Sequence, residues 1–192
     1  YKAAIEQLKA MDLLYPCSCT RAQVLAASPG AGPDGPLYGG TCKRRGPEPG
    51  KPLAWRLHMD RALEVAGPLP LDPRPWGDLV LVRRETPTSY HISVVVDDAA
   101  QGVTHIMRGK DLEGITAVHI LLQRLLGLPT PLYAYHDLVR HGDGRKFSKS
   151  ARAPSLHDLR AAGHRPEDLK LALNGIPNLR GQIDAIKAGD FL

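Results

Sequence analysis

The sequence predicts an α/β core, broken by a small irregular insertion and closed by a helical end. Three observations carry this reading. Strand-like and helix-like periodicities alternate along the chain, a Gly/Pro-crowded stretch is flanked by all three cysteines, and the residues after Ser150 read as helices alone.

The opening "YKAAIEQLKAMDLLY" is amphipathic, with Ala4, Ile5, Leu8 and Met11 at helical spacing on one face and Lys2, Glu6 and Lys9 outside. "LLYPCSC" reads as a short extended segment, and "TRAQVLAAS" as a brief helix with Thr20 as N-cap. The following "SPGAGPDGPLYGGTCKRRGPEPGKP" is too rich in Gly and Pro for helix or central strand. So long an irregular segment needs something other than a core to hold it. "LAWRLHM" (53–59) and "DLVLVRRE" (78–85) alternate like strands, with "DPRPWG" as a turn between them.

"YHISVVVDDAAQG" reads as a short helix, since Tyr90, Ser93 and Asp97 share a helical face, and "VTHIMRG" as a strand. "DLEGITAVHILLQRLLGL" is a clearer helix, with cap signals at Asp111 and Gly127. "PLYAYHDLV" (131–139) reads as a buried strand. Then come "SLHDLRAAG" with Ser155 as N-cap, and "RPEDLKLALNGI" with Pro166 in the first turn and Gly175 as the stop. Residues 1–150 are expected to form the α/β part, with the insertion at about 15–50, and residues 151–192 a helical region.

Composition bounds the function. Of 192 residues, 43% are hydrophobic and 23% charged, which is ordinary globular usage and not that of a disordered chain. No apolar run reaches the roughly 18 residues that would cross a bilayer. The net charge of +5 is compatible with a polyanionic partner such as RNA without demanding one. An odd number of cysteines confined to positions 17–42 argues against a secreted disulfide framework and for a reducing cytosol. Tyr1 stands first and the chain opens inside a helix, which reads as a piece of a longer protein.

Cys17, Cys19 and Cys42 gather around a loop with little apolar content, where a metal would supply the missing cross-link. Tetrahedral zinc wants four donors. Tyr38, four residues before Cys42, and His58 are the candidates for the fourth. Such a site would be structural, because a closed coordination shell leaves no place for water.

A second constellation is "DGRKFSKS" (143–150), where Lys146 and Lys149 follow a buried strand. Ligands of open α/β sheets bind beyond the carboxyl ends of strands, and lysines there meet phosphate. "KFSKS" resembles the KMSKS signature of class I aminoacyl-tRNA synthetases, with Phe147 in place of methionine; "VVVDDAAQGVTHIMRGKDL" (94–112) is similar to their glutamate branch. "YPCSCTRAQV" with "LYGGTCKRR" resembles the zinc module of the glutamyl-queuosine tRNA(Asp) synthetase family.

The resemblance implies a Rossmann-like class I catalytic domain, incomplete at its N-terminus, with a zinc-bearing insertion and a stem-contact-like helical end. It implies one structural Zn²⁺ on Cys17, Cys19, Tyr38 and Cys42. It further implies activation of L-glutamate by ATP with Mg²⁺, then transfer to the queuosine base at the wobble position of tRNA(Asp). Lys149 would contact ATP and Lys146 assist, within the motif Lys146, Phe147, Ser148, Lys149 and Ser150. Tyr90 and Arg108 would bind glutamate, with His91 and Asp97 nearby. A guanidinium suits that task because it grips both carboxylate oxygens at once. A salt bridge to Asp97, Asp98 or Asp111 is the structural alternative for Arg108. A cytoplasmic monomer without membrane contact is expected.

Two departures qualify the expectation. No HIGH motif precedes Tyr1, and "HILL" (119–122) reads as helix core, so the chain by itself is expected not to form adenylate. Only 42 residues follow Ser150, too few for the anticodon-binding domain of full glutamyl-tRNA synthetases. That favours the short family if the C-terminus is natural. A truncated ordinary glutamyl-tRNA synthetase and a non-catalytic zinc-containing tRNA-binding module are the competing readings. Arg44, Arg45, Arg140 and Arg145 could meet RNA phosphate, although a solvated surface role is the commoner one.

Overall fold

A computed structural model describes residues 1–140, 144, 145, 147 and 153–174. They belong to two compact units. The first comprises residues 1–104 and 114–130; the second comprises 105–113 and the described residues from 131 onward.

The first unit begins with α1 (Lys2–Ala10), which buries Ile5 and Leu8 as its periodicity predicts. Next come β1 (Leu14–Cys17) and α2 (Arg21–Ala26). Thr20 caps α2 in a full capping box, its hydroxyl accepting from the Gln23 amide while the Gln23 side chain accepts from the Thr20 amide. The Gly/Pro segment is more ordered than expected. It contains a minimal hairpin of β2 (Ala31–Gly32) and β3 (Gly35–Pro36), and a helix, α3 (Thr41–Arg45). Gly40 at φ 74° and Gly46 at φ 76° bracket α3, so the glycines that seemed to forbid a helix in fact start and stop one.

β4 (Ala54–Leu57) runs antiparallel to β1, with Tyr15 opposite Arg56 and Cys17 opposite Ala54. β5 (Val80–Val82) pairs on its other side, with an irregularity between Trp55 and Arg56. The expected strand 53–59 therefore ends early. Met59 begins α4 (Met59–Ala66), capped by the His58 ring nitrogen, which accepts from the Arg61 amide. Arg74–Trp76 form a 3-10 turn where a turn was expected.

α5 (Tyr90–Ala100) buries Ile92 and Val95, and α6 (Thr116–Leu126) is the most buried helix of the unit. α6 packs against α1, α4 and α5. Its His119, Ile120, Leu121 and Leu122 are all buried, so "HILL" is helix core. Full burial of each leucine contributes about 1.5–3 kcal/mol. Gly127, at φ 66°, ends α6 as expected, but Asp111 does not start it. Lys110–Leu112 form a separate 3-10 turn and α6 begins only at Thr116.

In the second unit β6 (His105–Gly109) and β7 (Leu132–His136) pair in parallel from His105 opposite Leu132 to Gly109 opposite His136. Parallel strands require a long crossover, here the chain from Lys110 to Pro131 that contains α6. α7 (Leu156–Ala161) has Ser155 as N-cap in a capping box with Asp158. α8 (Pro166–Asn174) has Pro166 in its first turn. Gly175 lies outside the described residues.

Candidate metal centre and substrate-binding elements

β1 delivers Cys17, the turn before α2 delivers Cys19, and α3 delivers Cys42. Their three sulfurs lie within 4.8 Å of one another, with Cys19 and Cys42 3.4 Å apart. Tyr38 Oη is 3.5 Å from each of the Cys17 and Cys19 sulfurs and accepts the Cys42 backbone N–H at 2.7 Å. Around a tetrahedral zinc, ordinary bond lengths place sulfurs about 3.8 Å apart and a sulfur about 3.5 Å from an oxygen. The two sulfur–oxygen distances match the second figure, and the Cys19–Cys42 separation is somewhat shorter than the first. His58 is not in the group; its Nδ1 caps α4.

The protons of the cluster are unevenly held. Burial disfavours the Cys42 thiolate, yet hydrogen bonds from the Ser18 backbone, Tyr38, Cys19 and the Ser18 hydroxyl outweigh it and bring Cys42 down to about 6. Burial pushes Cys19 up, as do its hydrogen bond to Cys42 and the charge at Cys17. Tyr38 is held far above the usual phenol range by burial, then by its contacts with Cys17 and Cys19. A divalent cation held by these residues would override the differences, since metal ligation displaces thiol and phenol protons.

An outer ring of polar contacts fixes the donors. Ser18 Oγ lies 3.8 Å from Cys42 Sγ and accepts the Glu48 amide at 2.8 Å. Arg84 donates to the Cys19 carbonyl. Arg56, buried at 9% exposure, donates from Nε to Cys17 Sγ at 3.3 Å and from Nη1 to the Asp78 carbonyl at 2.8 Å. Its guanidinium lies 3.8 Å over the Tyr38 ring. Asp78 is itself pinned by the Tyr15 hydroxyl, the Met59 amide and Lys43. Sequence reasoning missed Arg56 and Asp78. The available signal was an arginine inside the otherwise apolar strand "LAWRL".

Close packing extends to the backbone. A Cβ on Gly39 would lie 2.2 Å from the Ala27 carbonyl oxygen, so the loop carrying Tyr38 passes where only glycine fits.

The predicted substrate residues fall in both units. In the first, Tyr90 opens α5 half-exposed, its ring edge-on to His91 and His119. His91 Nδ1 and His119 Nε2 are 3.3 Å apart, and burial followed by the charge of Arg83 moves His91 below its ordinary value. Asp97 accepts the Tyr1 hydroxyl at 2.6 Å. In the second unit Arg108 is buried near the carboxyl end of β6, its guanidinium 4.8 Å over the Tyr133 ring. Just beyond the strand ends Lys110 pairs with Asp137 at 2.6 Å. A Cβ on Gly109 would lie 2.6 Å from Asp111 Oδ1 and 2.8 Å from Leu138 Cδ2.

Of the phosphate loop, Phe147 donates its amide to the Val139 carbonyl at 2.9 Å, and Arg140 donates to Gly144 O at 2.9 Å. Lys146, Ser148, Lys149 and Ser150 lie outside the described residues. Of the other arginines named above, Arg44 donates to the Gly39 carbonyl at 2.8 Å. Among the described residues no helix is long and apolar enough to cross a membrane.

The fold is that of a class I tRNA synthetase catalytic domain. It aligns with the crystal structure of a glutamate-tRNA synthetase from Elizabethkingia anophelis at a TM-score of 0.57 and 20% identity, over 85% of this chain and 36% of that one. The chain belongs to the family described as tRNA synthetases class I (E and Q), catalytic domain, whose profile matches residues 44–181. It is 44% identical over 194 aligned residues to the glutamyl-Q tRNA(Asp) synthetase of Rhodobacter capsulatus, covering 88% of this chain and 70% of that protein. It is 36% identical to the protein of the same name from Symbiobacterium thermophilum, over 100% of this chain and 64% of that one. The Thiobacillus denitrificans protein of that name is 42% identical, over 81% and 54% respectively. The chain thus spans between about half and 70% of the length of these relatives.

Proposed function

We propose that this chain is the catalytic-domain portion of a cytoplasmic enzyme that activates L-glutamate with ATP and Mg²⁺ and transfers it to the queuosine base of tRNA(Asp). The observation that carries the reading is the 44% identity, over most of the chain, to a protein named glutamyl-Q tRNA(Asp) synthetase. The structural likeness to glutamate-tRNA synthetase, at 20% identity, supports the fold alone.

Activation joins two anions, the glutamate carboxylate and the α-phosphate, so cationic groups and positioning supply most of the rate. In this reading Arg108 grips the carboxylate with two parallel N–H donors. The Tyr133 ring beneath it holds the guanidinium plane in orientation. Tyr90 contributes a hydroxyl to the amino-acid pocket, and Lys149 steadies the phosphate charge with Lys146 beside it. Zinc on Cys17, Cys19, Tyr38 and Cys42 would supply a cross-link that holds the insertion, with no part in the chemistry. The helical residues after Ser150 would contact the tRNA stem, and a monomer suffices for all of this.

Glutamate-dependent pyrophosphate exchange by the full-length gene product, with and without tRNA, tests the proposal. Exchange without tRNA, followed by glutamate transfer to queuosine-containing tRNA(Asp), is the expected result. Exchange that requires tRNA points to an ordinary glutamyl-tRNA synthetase, and none under either condition leaves a zinc-containing tRNA-binding module. Lys149→Ala should reduce exchange by on the order of 100-fold or more with folding intact.

A further inference from the structure

We infer that Arg56 is the positioning residue of the metal centre, setting the orientation of two of its four donors and supplying its counter-charge. The inference rests on the metal reading above.

Three contacts converge on one guanidinium. Nε donates to Cys17 Sγ at 3.3 Å, Nη1 donates to the Asp78 carbonyl at 2.8 Å, and the planar face covers the Tyr38 ring at 3.8 Å. Cys17 and Tyr38 come from segments 21 residues apart, and each rests on a different feature of the same group, an N–H edge and a π face. The third contact makes the guanidinium a fixed reference. Asp78 is held by the Met59 amide at 2.9 Å, by the Tyr15 hydroxyl at 2.7 Å and by Lys43 at 3.2 Å. Arg56 therefore transmits the position of the sheet to the donors.

Electrostatics point the same way. A buried cation is costly without a partner. Among the described residues no carboxylate lies within ion-pair distance of Arg56, whose exposure is 9%. Three thiolates and a tyrosine oxygen around a divalent cation carry net negative charge, and that charge is what Arg56 faces. The anionic donor set and the arginine thus compensate each other across Cys17. Lysine would keep the charge but lose both the flat face and the forked edge.

The test compares the full parent chain with Arg56→Lys and Arg56→Met. Zinc affinity is read by competition with a chromophoric chelator, the donor set by the ligand-field spectrum of the Co²⁺ form, and stability by thermal unfolding with and without chelator. Outer-shell partners of metal ligands typically contribute 10–100-fold in affinity, so both variants should bind zinc on the order of 10–100-fold more weakly. Their Co²⁺ spectra should shift, and the stabilisation gained from zinc should shrink relative to the parent. Affinity within twofold of the parent with an unchanged Co²⁺ spectrum overturns the inference while leaving the metal centre standing. A parent that takes up no zinc overturns the metal reading itself. Should Arg56→Met fail to fold, Arg56→Lys decides; failure of both to fold with zinc present assigns Arg56 to the sheet alone and overturns its role at the metal.

Discussion

The cysteine insertion and the β6–β7 pair solve opposite problems. In the insertion the groups around the cysteines turn inward on one another: sulfur to sulfur, phenol to amide, guanidinium to thiol. At the carboxyl end of the parallel pair the contacts are of another kind: the Arg108 guanidinium lies over the Tyr133 ring and Lys110 pairs with Asp137. A closed set of donors suits a permanent cross-link. Under the proposed function the first region is structural and the second meets substrate, and that contrast is open to test.

Removing the metal should break that contrast most severely. Chelation, or Cys42→Ser, is expected to lower the unfolding midpoint by on the order of 10 °C. Hydrogen exchange should localise the loss to residues 28–52 and spare β6 and β7. Uniform loss of protection across the chain would contradict the division. Arg108→Lys comes next. Zinc content and stability should remain at parental levels while kcat/KM for glutamate in exchange falls by about 100-fold, since a point charge replaces a two-pronged grip. A variant that instead unfolds would return Arg108 to the structural role that the neighbouring aspartates suggest. Smallest is Gly39→Ala, whose Cβ would meet the Ala27 carbonyl at 2.2 Å. A cost of about 1–3 kcal/mol with weakened zinc retention is expected; unchanged zinc retention would show that the Tyr38 loop can shift without the donors noticing.

Local signals were legible in the residues. Thr20 and Ser155 announced helix starts, Gly127 a helix end, and the apolar spacing of "HILLQRLL" a buried helix. Failures came where the same residue type serves two purposes. Glycines 40 and 46 looked like breakers and are the brackets of α3, while His58 and Met59 prolonged a strand pattern that the chain abandons at Leu57. The three cysteines announced themselves by number and composition. Tyr38 was one of two open candidates until the family resemblance favoured it; its hydroxyl lies 3.5 Å from two of the sulfurs, and His58 lies outside the cysteine group. Arg56 could not be read, because the sulfur it serves lies 39 residues away and only strand pairing brings them together.

That pairing has its own consequence. With Cys17 opposite Ala54 and Tyr15 opposite Arg56, the thiol, the small alanine and the guanidinium share one side of a two-strand ladder. Sliding the ladder by a single residue would carry Cys17 or Arg56 to the opposite side, separating anion from cation in one step. The spacing between them is therefore a property of backbone registry, inherited by the side chains. Substitutions elsewhere in β1 or β4 that loosen this registry should be felt first as lost metal and only afterwards as lost fold.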